Sequence, residues 1–208
     1  MHAIDQAEQS RTTPAEALER LREGNARFRS GQTTERDLMQ QVAETTGGQW
    51  PLAVVLSCID SRTSSELIFD QGIGDLFNAR IAGNFQNEDI LGSMEFACKV
   101  AGAKLVLVLG HSHCGAIKGA CDGVELGNLT AMLKKLRPAV DAVATPTEQS
   151  ERTSANGEFV EAVARENVRA TVEAIAARSD VLRELRDEGA IAIVGGMYDI
   201  TTGAVEFF

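Results

Sequence analysis

The chain has 208 residues and a mass of 22.3 kDa, with 44% hydrophobic and 24% charged residues, enough to bury a core of its own. Its 20 basic and 30 acidic residues leave a formal charge of -10, which argues against nucleic acid or an anionic membrane as the main partner, because both bind through basic patches. No apolar run approaches the ~20 residues of a membrane span. Met1-His2-Ala3-Ile4-Asp5-Gln6 has no basic segment followed by an apolar one, so no secretory leader is read and a cytoplasmic location is expected.

Thr13-Pro14-Ala15-Glu16 predicts the start of the first helix: a capping Thr, Pro at the first helical position, and Glu three residues after the cap. Leu18, Leu21 and Phe28 mark one face of it, and Ser30-Gly31 its end. Lying far in sequence from the apolar strands, this helix is expected to pack elsewhere, on a second subunit. Residues 32–48 are polar and predict no defined element. A strand is predicted over 52–57, a short helix over 64–69, a break at Gly72-Ile73-Gly74 and a brief strand over 76–79.

Asn87-Glu88-Asp89 opens another helix, acidic in its first turn as the macrodipole prefers, with Ile90, Leu91, Met94, Ala97 and Val100 as the expected buried face. After a turn at Gly102 a second apolar strand is predicted over 104–109. Strand, helix, strand in that order implies a parallel pair. Residues 127–143 predict a surface helix interrupted at Pro138, 145–157 a loop, and 159–177 a long amphipathic helix carrying Val160, Val163, Val168, Val172 and Ile175. A last strand over 190–194 is expected to end at Gly195-Gly196, and 203–207 is a candidate antiparallel edge strand. The fold class is therefore α/β: a mainly parallel central sheet flanked by helices. One domain is expected over 1–208, with an N-terminal helical arm over 1–48 and an α/β core over 49–208. The glycine pairs lack the spacing of a dinucleotide fingerprint.

Two of the apolar runs end in reactive groups. The first delivers Cys58-Ile59-Asp60-Ser61-Arg62, and the second His111-Ser112-His113-Cys114-Gly115. Parallel neighbours would bring both ends to one crevice, where open α/β sheets place their ligands. Cys58, His111 and Cys114 are two thiolates and an imidazole, a donor set suited to zinc. Three protein ligands leave a fourth position open, as catalytic sites require. His113, adjacent to Cys114, is expected to point away. The competing reading keeps Cys58 and Cys114 as buried thiols at strand ends and His111 as a satisfied polar residue. Asp60 and Arg62 weigh against it: at alternate positions they would share a face with Cys58, the carboxylate taking a proton from water and the guanidinium holding it ionised. On their own these two would make an ordinary surface ion pair. Cys98 and Cys121 have no ligand partners at useful spacing and read as buried thiols.

Together the two motifs resemble the paired CxDSR and HxxCG motifs of β-carbonic anhydrases, and the resemblance runs from about Leu18 to the carboxyl terminus, with Arg80-Ile81-Ala82-Gly83-Asn84 similar to the family's RNxAN stretch. It implies reversible hydration of CO2 to bicarbonate and a proton through zinc-bound hydroxide, with one Zn2+ per chain on Cys58, His111 and Cys114. Asp60 and Arg62 are then catalytic, with Asp60 a fourth ligand in a closed form. The resemblance also implies that Gln49, Phe77 and Gly115 bind substrate, and that the active unit is a homodimer or homotetramer whose N-terminal helices embrace the partner. Phe96 stands where some plant-type members carry tyrosine. Bicarbonate-regulated members use a Trp–Arg–Tyr trio; Arg80 and Tyr198 fit two places, but Val55 occupies the third, which favours the plant-like, non-regulated type. Two alternatives remain: hydrolysis of carbonyl sulfide or carbon disulfide on the same site, and a catalytically inert zinc-binding regulator.

Overall fold

The computed structural model describes residues 2–208. Four strands run parallel: β1 (Ala53–Ser57), β2 (Leu76–Arg80), β3 (Leu105–His111) and β4 (Ala192–Tyr198). The fifth, β5 (Val205–Phe207), pairs antiparallel with β4, and the spatial order is β2-β1-β3-β4-β5. Every residue of β1 and β3 is buried, because helices cover both faces and a central parallel strand then needs no polar side. Alternation divides these strands between two cores: Val54, Leu56, Val106 and Val108 face one layer, and Ala53, Val55, Leu105 and Leu107 the other.

The second layer includes α2 (Pro14–Ser30), which begins with the expected capping box on Thr13 and Glu16 and ends at Gly31 with φ 69°. One face of α2 packs on its own chain. Ala17 and Leu21 are fully buried in one cluster with Leu52, Val55 and Leu107. Gly24 lets the helix approach so closely that an added Cβ would lie 1.8 Å from the backbone oxygen of Phe69. Gly24→Ala is therefore expected to destabilise the protein by about 1–3 kcal/mol, the usual cost of overpacking, read as a lower urea midpoint with unchanged metal content. An unchanged midpoint would show that α2 can lift without cost.

Three helices escaped the sequence reading: α1 (Gln6–Arg11), α3 (Leu38–Glu44) and α10 (Asp180–Asp187). Each is short and polar, and each is started by a side-chain cap, from Asp5, Asp37 and Ser179. Tertiary contacts hold them: Gln9 of α1 donates to the carbonyls of Pro51 at 2.7 Å and Ala101 at 2.8 Å. Between α1 and α10 lie α4 (Ser65–Ile68), α5 (Glu88–Glu95), α6 (Gly115–Asp122), α7 (Gly127–Lys134), α8 (Arg137–Ala142) and α9 (Gly157–Arg178). The expected surface helix over 127–143 is two helices, with Pro138 in the first turn of α8, where its missing N–H costs nothing.

Two further expectations are corrected. The helix after Asn87 widens into a π-turn over Phe96–Val100, and the wider turn rotates the following residues, leaving Val100 71% exposed and burying Cys98. Gly195 and Gly196 do not end the last strand; they lie inside β4. A Cβ on Gly195 would come within 2.8 Å of Val168 and Phe208, so the missing side chain is what lets α9 and the carboxyl-terminal residue close on the strand.

Candidate metal centre

β1 and β3 are direct neighbours, with Ser57 opposite Leu109, so Cys58 and His111 emerge at the same edge of the sheet. Past His111 the chain turns through His113, whose φ of 57° is left-handed, and returns Cys114 to the start of α6. The ligand atoms of Cys58, His111 and Cys114 lie within 4.8 Å of one another, and all three residues are buried. His113 is exposed on the turn.

The donor set fits zinc on three observations. The two sulfurs are 4.0 Å apart, close to the ~3.8 Å that two 2.3 Å bonds at a tetrahedral angle would give. His111 Nδ1 lies 2.9 Å from the Ser112 carbonyl, which can only accept, so the proton sits on Nδ1 and the Nε2 lone pair is free. That Nε2 is buried without a hydrogen-bond partner among the described residues. The hydrogen bond between the two thiols favours the thiolate of Cys58, while the same bond and burial push Cys114 up.

Asp60 and Arg62 meet beside this cluster, though not by strand alternation. The strand ends at Ser57, and 58–63 is a turn closed by Thr63 N–H donating to Asp60 O at 3.0 Å. Arg62 donates to Asp60 three times: from its backbone N–H and Nε to Oδ1 at 3.0 and 2.9 Å, and from Nη2 to Oδ2 at 2.7 Å. These bonds hold the Asp60 carboxyl far below the usual carboxylate range. Asp60 Oδ2 stands 3.9 Å from His111 Nε2, so the ionised carboxylate borders the triad without closing it.

The turn itself is clamped by residues to which the sequence reading gave no such role. Thr63 is buried, and its hydroxyl donates to the carbonyls of Cys58 at 3.1 Å and Asp60 at 2.8 Å. Arg80, at the end of β2, donates to the same two carbonyls at 2.9 and 2.6 Å. No spacing rule points to either one. Tyr198 lies opposite His111 in the β3–β4 register, and Val55 is fully buried in mid-strand.

Gly115 opens α6 directly after Cys114, and first-turn N–H groups of a helix have no intrahelical partner. Gln49 and Phe77 are placed otherwise. Gln49 is exposed and precedes the amino end of β1, separated from Cys58 by the length of that strand, ~17 Å. Phe77 pairs with Val54 near the same end and, with Phe96, lines a cavity of about 620 Å³. Within one chain neither is brought to the triad. Cys98 and Cys121 are buried free thiols, and burial pushes them up to about 12 and about 11.

A parallel α/β sheet with a soft Cys–His–Cys donor set at its carboxyl edge, flanked by an ionised carboxylate, defines a zinc-dependent metalloenzyme. The carbonic anhydrase family matches residues 53–205. Carbonic anhydrase 2 of Mycobacterium tuberculosis is 36% identical over 193 residues, spanning 92% of this chain and 91% of that protein. A carbonic anhydrase of Mycolicibacterium smegmatis is 36% identical over 196 residues, spanning 94% and 93%. A tetrameric β-carbonic anhydrase from Sordaria macrospora superposes with a TM-score of 0.69 at 26% identity, covering 80% of this chain and 85% of its own. The chain belongs to the β-carbonic anhydrase family. Family and site together support zinc-dependent hydration of CO2, and neither favours the two alternatives.

Proposed function

We propose that this chain converts CO2 and water reversibly into bicarbonate and a proton, with Asp60 as the group that orients the attacking water and accepts its proton. One observation carries the assignment of roles: three ligand atoms within 4.8 Å of one another stand beside a carboxylate already held ionised by Arg62. Zinc on Cys58, His111 and Cys114 supplies a Lewis acid that makes water nucleophilic near neutral pH. Asp60 Oδ2, on the open side of His111, accepts the proton, and Arg62 keeps that oxygen aimed while the backbone clamp from Thr63 and Arg80 keeps the turn still. The N–H of Gly115 takes a substrate oxygen.

Gln49 and Phe77 act across an interface, each serving the site of a second copy, in a homodimer or a homotetramer. The exposure of Gln49, the place of the half-buried Phe77 on an open cavity, and the distance of both from their own triad support this, as does the tetrameric state of the Sordaria relatives. The plant-like, non-bicarbonate-regulated type is favoured because Arg80 already donates to the Cys58 and Asp60 carbonyls, and because Val55 offers no hydrogen bond. A cytoplasmic location suits four free cysteines.

Stopped-flow CO2 hydration, run with zinc determined on the same preparation, tests the reading. The zinc-loaded protein is expected to be fast, and Asp60→Asn to lose about 10²–10⁴-fold in kcat with zinc content unchanged, the range for a positioned general base. Zinc at one per chain without hydration would sink the substrate assignment, and sulfide release from carbonyl sulfide would replace it.

A further inference from the structure

Polar side chains buried on the apolar face of a helix need a reason, because burial without a partner costs free energy. Asn167 is such a residue. It lies in α9 between Val163 and Thr171 on the buried face, and is only 4% exposed. Its Nδ2 donates to the carbonyl of Gly83 at 2.8 Å, a buried bond between residues 84 apart in sequence. Gly83 in turn donates its N–H to Cys58 Sγ at 3.4 Å. Glycine is required there: φ is +81°, and a Cβ would come within 2.7 Å of Leu136. A glycine backbone is also the freest to rotate, so something outside it must hold its orientation.

We propose that Asn167 is a positioning residue for the metal centre: by fixing the Gly83 carbonyl it keeps the Gly83 N–H on Cys58 Sγ, drawing charge off that sulfur and tempering its donation to the ion. A hydrogen bond to a thiolate favours its charged form, and partners of this kind beyond the ligands commonly set metal affinity. The inference rests on the zinc reading of the triad.

Cobalt(II) replaces zinc in the full-length protein for the test, since its sulfur-to-metal charge-transfer band reports sulfur donation directly. Asn167→Leu keeps the branched heavy-atom shape and removes the donor; Asn167→Ala removes both. Thr171→Val, one turn along the same buried face, is the comparison for a polar-to-apolar change there that touches neither Gly83 nor Cys58. Both Asn167 variants are expected to shift the band to longer wavelength, because the sulfur then keeps its full charge, and to release zinc to a chelator about 10–100-fold faster, because nothing then holds that sulfur in place. Thr171→Val should do neither, whatever it costs in Tm. A folded Asn167 variant with the wild-type band and wild-type zinc release would overturn the proposal. So would the same shift in Thr171→Val, which would make Asn167 a packing residue only. Failure of the wild-type chain to take up cobalt would instead overturn the zinc reading, and this inference with it.

Discussion

Cys114→Ala is expected to yield a folded protein that neither keeps zinc nor hydrates CO2. Cys114 occupies the cap position of α6, but its side chain makes no capping bond, so the helix does not depend on the thiol. The metal does. Complete zinc sites bind with about 10–16 kcal/mol; losing one of three protein ligands removes roughly a third, about 3–5 kcal/mol, or ~10²–10⁴-fold in affinity. After dialysis against a chelator, zinc per chain should fall close to zero, while the urea midpoint of the metal-free variant matches that of the metal-free parent. A variant retaining both zinc and turnover would remove Cys114 from the ligand set.

Asp70→Asn should cost nearly as much, in stability rather than activity. Asp70 lies at the end of α4 with φ 46°, and its carboxylate is 2% exposed. It accepts from Arg27 Nε and Arg36 Nη1, each at 2.5 Å, and from the Thr34 hydroxyl at 2.8 Å. These contacts tie α2 and the segment after it to the end of α4. Asparagine tolerates the backbone conformation and keeps the size, so the substitution removes the charge and one acceptor oxygen, leaving Arg36 with only the carbonyls of Thr34 and Asp70. Breaking a buried pair from one side costs about 3–5 kcal/mol, hence about 6–20 °C in Tm for a chain of this length.

The pH dependence of Asp70 has a definite sign. Burial opposes its ionisation, but Arg27, Arg36 and Thr34 outweigh burial and hold the carboxyl at about 2. A carboxyl depressed below its unfolded value of ~3.9 stabilises the fold fully above that value, and loses the contribution as pH falls toward the folded one. Parent stability should therefore drop between about pH 5 and pH 2 more steeply than that of Asp70→Asn. Parallel acid curves for the two proteins would show that Asp70 is not ionised in the fold.

The most specific part of the molecule was legible in order of residues alone. Cys58, Asp60 and Arg62 closely follow one apolar run, and His111 and Cys114 the other; parallel strands are read as such because Val- and Leu-rich apolar runs of five residues suit a sheet covered on both faces. Both helix starts at Thr13 and Asn87 were legible too, since a cap is a local hydrogen bond between residues three apart. A short helix such as α1 was not, because its stability comes from contacts such as Gln9 to Pro51 and Ala101 rather than from its own periodicity.

Sequence by itself determined which side chains end the two strands, Cys58 with Asp60 and Arg62 on one and His111 with Cys114 on the other, because each motif lies within five positions. Only the tertiary structure decided that α2 lies on its own sheet, that Gly195 and Gly196 continue β4, and that Gln49 stands a strand's length from Cys58. It alone also joined Arg80 and Asn167 to the Cys58 turn, the first across neighbouring strands and the second from α9 through Gly83. Such hydrogen bonds form between groups 22 to 84 residues apart, and no local pattern encodes which distant backbone a buried side chain will meet.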